Sequence, residues 1–238
     1  MGSAPTAPTE PPASTAPTAP TAGAAAAAAA ADQDGPAPAA RPRAGVLDLR
    51  GGAGRGELRF PAGDLLIVSG LPGSGKSTLI RRAVAALDAR DGIVWCVDSQ
   101  DARERLERRA PGWLPYGAYR PFARLVHYAA LRRALRSGAS VVVHDCGQRG
   151  WVRRWVARDA RRRGTAAHLL LLDVPPGTAL AGQAARGRGV SPHAFGRHRR
   201  AMARLIAEVT ARSVPQGVAS AVVLDRAAAD ALRGISFT

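Results

Sequence analysis

Lys76 is the sole lysine of the sequence, and it stands in the run Gly70-Leu71-Pro72-Gly73-Ser74-Gly75-Lys76-Ser77, with Thr78 next. The run matches the P-loop pattern in full. Its chemistry is the holding of phosphate. Glycines let successive main-chain N–H groups turn toward phosphate oxygens, and the start of a helix adds partial positive charge. Lysine here sets a compact ammonium against the outer phosphates of a nucleotide, and the following serine offers a hydroxyl to Mg²⁺. Every other basic residue among the 34 Lys and Arg is arginine, so a lysine appears only where a guanidinium fork would suit least. ATP and Mg²⁺ are the ligands expected, with residues 70–78 as the nucleotide contacts.

Three acids follow apolar runs at places where such chemistry could use them. Val141-Val142-Val143-His144 delivers Asp145, which is expected to hold the metal together with Ser77, as Walker-B acids do. Asp98 closes the run before Ser99, and Asp101 follows three residues later. A carboxylate in either position can take the proton of an acceptor hydroxyl in phosphoryl transfer. Asp101 can equally serve as a helix cap with Glu104 in the first turn. The five histidines show no ligand spacing with Cys96 and Cys146, so no zinc site is expected, and both thiols read as small buried hydrophobes.

These residues need a frame to bring them together. Asp64–Ser69, Ile93–Val97, Ser140–His144, His168–Leu172 and Ala221–Leu224 are short apolar runs, the pattern of strands buried on both faces. Helices are expected between them: one from Lys76 with Leu79, Ile80, Val84 and Leu87, and one at about 122–137, after a loop from Pro111 to Pro121, with Phe122, Leu125, Val126, Ala129 and Leu135 along one side. Another places Trp151 and Trp155 on one face, and a long one opens at Ser191-Pro192. Val46–Arg50 and Glu57–Phe60 read as a hairpin around Gly51-Gly52. Alternating strands and helices imply an α/β three-layer sandwich on a mostly parallel five-stranded sheet, with ligands beyond the carboxyl ends of the strands.

Composition sets the outer limits. Of 238 residues, the first 44 are nearly all Ala, Pro and Thr and are expected to form a disordered, solvated tail, leaving residues 45–238 as one domain. Met1-Gly2-Ser3-Ala4-Pro5-Thr6 fits the loose myristoylation pattern, which short stretches match by chance. No apolar run is long enough for a membrane span, and two cysteines fit a reducing cytoplasm. The whole of the formal net charge of +16 lies outside the tail, which is itself slightly acidic. Its near-exclusive use of arginine reads as a compositional bias, which weakens it as a sign of a nucleic-acid partner.

With these residues in view, the sequence resembles the small P-loop kinases related to polynucleotide 5′-kinases, zeta-toxin-type kinases and chloramphenicol phosphotransferases, a group often described as AAA-family ATPases. The resemblance rests on the P-loop, Asp98–Arg103, Val141–Asp145, and the block from His168 through Leu171-Leu172-Asp173-Val174-Pro175-Pro176 to Ala184-Ala185-Arg186-Gly187-Arg188-Gly189-Val190-Ser191-Pro192. It implies a lid arginine that neutralises charge on the transferring phosphoryl group, at Arg186, with Arg188 as a helper. Where that group usually has an Asp three residues before the arginine, Gln100 stands before Arg103, so the base is expected at Asp98 or Asp101. Gln183 stands where a further charged residue is frequent.

The function expected is transfer of the ATP γ-phosphoryl group to a hydroxyl acceptor, a nucleic-acid 5′ end or a small molecule. Trp113, Tyr116, Tyr119 and Phe122 fall where such kinases insert their acceptor element; they could stack a ring or close a core. The rival is an ATPase switch for a protein partner, and a third reading is a regulatory nucleotide-binding module. An ABC-type ATPase is excluded, because Cys146 follows the Walker-B acid and no LSGGQ-like signature occurs.

Overall fold

In a computed structural model, residues 44–52, 56–85, 94–109, 116–145, 149–186 and 190–238 are described, together with Gly2. Apart from Gly2 and Ala44, the expected tail lies outside them, as do Trp113, Cys146, Arg188 and the side chain of Tyr116.

Six strands form one sheet: β1 (Gly45–Asp48), β3 (Leu65–Gly70), β4 (Val94–Val97), β5 (Ser140–Asp145), β6 (Ala167–Leu172) and β7 (Ser220–Leu224). Their order is β1-β7-β6-β3-β5-β4, and every pairing is parallel. The four inner strands carry hydrophobic runs because helices cover both faces. Alternation along each strand sorts the residues. Leu65, Ile67, Val141, Val143, Leu169, Leu171 and Val223 face α3 (Tyr116–Arg136), α4 (Gly150–Arg162) and α6 (Pro192–Thr210) through Leu131, Val156, Met202 and Leu205. Leu66, Val68, Val142, Leu170, Leu172 and Val222 face α1 (Lys76–Ala85) and α7 (Arg226–Ala231) through Leu79, Ile80 and Ala229. Each large side chain so enclosed contributes about 1.5–3 kcal/mol. The two remaining helices are α2 (Ser99–Glu107) and α5 (Pro176–Ala184).

The structure corrects several expectations. The sheet has six strands, not five, because Gly45–Asp48 pairs with β7 from Gly45↔Ser220 to Asp48↔Val223. No hairpin forms: β2 (Glu57–Phe60) pairs in parallel with β8 (Gly234–Phe237), burying Leu58, Phe60, Ile235 and Phe237 over α1. A short strand is paired by whatever apolar strand reaches it, and here that strand lies at the far end of the sequence. Helix α3 begins before Pro121 and carries it inside. Its buried stripe meets the predicted one at Leu135 but otherwise departs from it. Phe122 is 61% and Leu125 64% exposed, whereas Tyr119, Ala123, His127 and Leu131 are buried at four-residue spacing. A histidine and a small alanine in that stripe disguise it as a polar face. Cys96 is exposed, because β4 is the edge strand of the sheet. Trp151 and Trp155 do share a face, stacked at 6.2 Å.

Candidate functional site

Between the end of β3 and the start of α1 the chain turns through two left-handed glycines. Gly73 (φ +84°) and Gly75 (φ +97°) adopt left-handed conformations that side chains disfavour. Space enforces the same choice: a Cβ on Gly73 would lie 2.1 Å from the Ala179 carbonyl oxygen of α5. In the loop, Ser74 N–H donates to the Leu71 carbonyl at 3.1 Å. Lys76, 4% exposed, curls back so that Nζ donates to the carbonyls of Gly70 (2.9 Å) and Leu71 (2.7 Å). Arg226 braces the turn from outside, donating to the Ser74 carbonyl at 3.1 Å.

The acids sit beside this loop because β3, β5 and β4 are neighbours in the sheet. Ser69 and Asp145 are in register, and Ser69 Oγ donates to Asp145 Oδ2 at 3.4 Å. Asp145 is buried, with Arg153 Nη1 at 3.8 Å. Asp98 follows β4 and caps α2, accepting from Gln100 N at 2.9 Å. It also contacts His144 Nδ1 and accepts the Ser77 hydroxyl. Burial, the largest single influence, pushes the Asp98 carboxyl up, but His144, Gln100 N–H and the Ser77 hydroxyl together outweigh it and hold the group well below its ordinary value. Asp101, in the first turn of α2, is exposed; partial burial and the charge of Asp98 raise its pKa. The cap is therefore Asp98, not Asp101.

Helix α5 and Arg186 lie against the loop. Gly182 approaches so closely that a Cβ there would meet the Gly73 carbonyl at 2.5 Å. Gln183, buried, donates through Nε2 to the Pro72 carbonyl at 3.1 Å and accepts Val190 N–H at 3.1 Å. Arg186 Nη2 donates to Thr78 Oγ1 at 3.3 Å.

A cavity of about 330 Å³ joins these parts. Its walls include Gly73, Gly75, Lys76, Ser77, Asp145 and Arg186, and also Gln100, His127, Tyr128 and Arg149. Asp98 stands behind the wall, touching it through His144 and Ser77, and Asp101 is not part of it. Tyr119 and Phe122 do not line it either. The residues that do come from the next turns of α3, Ala123, Arg124, His127 and Tyr128, which the sequence reading missed. Their only signal is the four-residue repeat of small and polar positions along a helix that must bury one side. Among the described residues no cluster of three or more His, Cys, Asp or Glu could hold a metal by itself. A magnesium site shared with phosphate needs fewer protein ligands, and the hydroxyl of Ser77 and the buried carboxylate of Asp145 are the hard oxygen donors suited to it.

A parallel sheet flanked by helices, with a glycine loop from β3 into α1 and acids at neighbouring strand ends, defines a P-loop nucleotide-binding domain of kinase-like architecture. The family model described as an AAA domain matches residues 65–211, and the chain belongs to that family. No curated protein matches the sequence. Among solved structures, a gluconokinase from Sinorhizobium meliloti is 19% identical, with a TM-score of 0.43 over 74% of this chain and 89% of its own. A tunicamycin resistance protein of Deinococcus radiodurans is 18% identical, with a TM-score of 0.40 over 66% of this chain and 86% of its own. A chain of the PezAT toxin–antitoxin system of Streptococcus pneumoniae is 17% identical, with a TM-score of 0.47 over 63% of this chain and 64% of its own. Among the described residues no helix is long and apolar enough to cross a membrane.

Proposed function

We propose that the protein is an ATP-dependent phosphotransferase acting on a hydroxyl acceptor in the cytoplasm. The observation that carries this reading is the extent of the cavity, which runs from the phosphate loop past Ser77 and Asp145 to a separate wall on α3 and Arg149. A nucleotide switch needs the first part alone; transfer needs a second binding wall facing the phosphates.

In this reading the loop amides of residues 70–78 and the Lys76 ammonium hold the triphosphate. Ser77 and Asp145 hold Mg²⁺, which supplies neutralisation of phosphate charge. Arg186, close to the loop through Thr78, meets the charge that builds on the transferring group. The acceptor oxygen forms a bond to the γ-phosphorus as the bond to the bridging oxygen breaks, and ADP leaves. Of the two candidate bases we favour Asp98, which touches the cavity wall through Ser77 and His144, while Asp101 is exposed. Catalysis of this kind is mostly positioning and electrostatics.

The test is transfer of label from γ-³²P-ATP. Label appearing on an acceptor, with slow hydrolysis in its absence, supports the reading. Phosphate release stimulated by a protein partner, with no labelled acceptor, would replace it with the switch.

A further inference from the structure

Helices α4 and α6 lie side by side on one layer, α4 over β3 and β6, α6 over β7 and β1. Between them they carry nine arginines and two acids, Asp159 and Glu208. Toward the sheet they bury Val152, Val156, Met202 and Leu205. Toward solvent they expose Arg154, Arg158 and Arg161 on α4, and Arg197, Arg200 and Arg204 on α6. Residues three or four apart share a helix face, so each trio forms a stripe with members about 5 Å apart along the axis. A bias toward arginine accounts for the residue type but not for the pairing. On the other layer Arg82 and Arg226 both meet Asp230 and both donate to main-chain carbonyls, and on β2 Arg59 meets Glu57. None of the six stripe arginines has an ion-pair or hydrogen-bond partner among the described residues. Like charges so spaced repel one another, and a chain of anions laid along them relieves the repulsion.

Trp151 heads the α4 stripe, one turn before Arg154, and is 43% exposed. Trp155 stacks on it at 6.2 Å, and Tyr128 leans against it from α3 with ring centroids 5.0 Å apart. The indole is therefore braced while much of it stays in solvent. A row of cations at close to the step between successive phosphates, beginning at a braced and open ring, is an arrangement that suits a single strand of nucleic acid. The guanidiniums follow its backbone and the ring receives a base. A lipid surface would require large apolar side chains along the stripes, and Trp151 is the one such side chain exposed on either helix.

We infer that the outward face of α4 and α6 docks single-stranded nucleic acid, with phosphates on Arg154, Arg158 and Arg161, a base stacked on Trp151, and the α6 stripe adding to the attraction. None of these residues lines the cavity, and the inference does not depend on phosphotransfer.

The full chain would be titrated by fluorescence anisotropy against a labelled oligothymidylate and a duplex of the same length, and by sedimentation against vesicles of phosphatidylserine and phosphatidylcholine. The single strand should bind most tightly, with affinity falling steeply as salt rises. Arg154→Gln combined with Arg158→Gln should weaken that binding tenfold or more and flatten the slope of log affinity against log salt by about 0.7 per arginine. Arg59→Gln combined with Arg81→Gln removes the same charge elsewhere and should change affinity less than twofold. Trp151→Leu should weaken single-strand binding about tenfold, by loss of one stacked base, and leave the duplex unaffected; Trp151→Tyr, which keeps a ring, should restore most of it. No binding of the single strand at low salt, an equal loss in the control pair, a duplex bound as tightly as the single strand, or tighter binding to vesicles would each overturn the inference.

Discussion

Each end of the sheet carries an aspartate paired with a histidine, and the two pairs have different fates. At the amino end, His168 Nε2 meets Asp64 Oδ2 and Nδ1 meets Ser220 Oγ, both at 2.8 Å, while Asp64 Oδ1 accepts Ala166 N–H at 2.8 Å. Every polar atom of that group has a partner, and both side chains are 5% exposed. Arg163 closes the same end, donating to the carbonyls of Gly63, Gly138 and Ala139. At the carboxyl end, His144 leans on Asp98 at the edge of a cavity, with His127 beside them. Three residues that would suit a hydrolase, Ser220, His168 and Asp64, are thus a sealed structural knot. Residue type proposes chemistry, and open bonding capacity beside a cavity is what permits it.

The largest effect should come from the sealed end. Asp64→Ala strips partners from His168 and from Ala166 N–H and is expected to destabilise the fold by about 3 kcal/mol, measured by denaturant unfolding, with nucleotide affinity of the folded protein unaltered. A drop in affinity alone would erase the contrast between the two ends. At the open end, Lys76→Ala should reduce ATP turnover by at least about a hundredfold in a phosphate-release or transfer assay; turnover at the wild-type rate would contradict the loop's role. Gly73→Ala forces a Cβ against the Ala179 carbonyl, so nucleotide affinity should fall and stability drop by about 1–3 kcal/mol, both read by thermal unfolding with and without ATP. Asp98 sharpens the comparison through pH. Its carboxyl sits below the ordinary 3.8 in the folded chain, so the stability it contributes is complete above that value and fades as pH falls through the lower, folded-state value. Asp98→Asn should flatten that acid limb in pH-resolved melts; an unchanged limb would mean the pairing with His144 adds nothing. The smallest effect on stability belongs to Arg186→Ala, within about 0.5 kcal/mol because the side chain is exposed, while transfer slows.

The parts of this molecule legible in the sequence are those fixed by local pattern. Leu65–Gly70, the glycine loop and α1 announce themselves by an apolar run, a turn that only glycine permits, and helical spacing. Ser191-Pro192 marks a helix start, and Ser191 Oγ indeed accepts Ala194 N–H at 3.3 Å. What sequence hides is partnership across the chain. Glu57–Phe60 looks like half of a hairpin because its true partner, Gly234–Phe237, is remote. His127 looks like a stray polar residue because the helix face it occupies borders a cavity instead of the core. Gln183 reads as an absent charge, yet one end of its amide ties α5 to the loop at Pro72 and the other accepts Val190 N–H.

The posture of Lys76 has a consequence for which anions the loop will admit. Its ammonium is already clasped by two carbonyl oxygens, so a phosphate gains it only by trade, oxygen for oxygen. A singly charged visitor offers little more than the peptide groups it displaces. A polyphosphate offers several negative oxygens at once, and the trade becomes worthwhile, so selection among nucleotides begins before any base or sugar is touched.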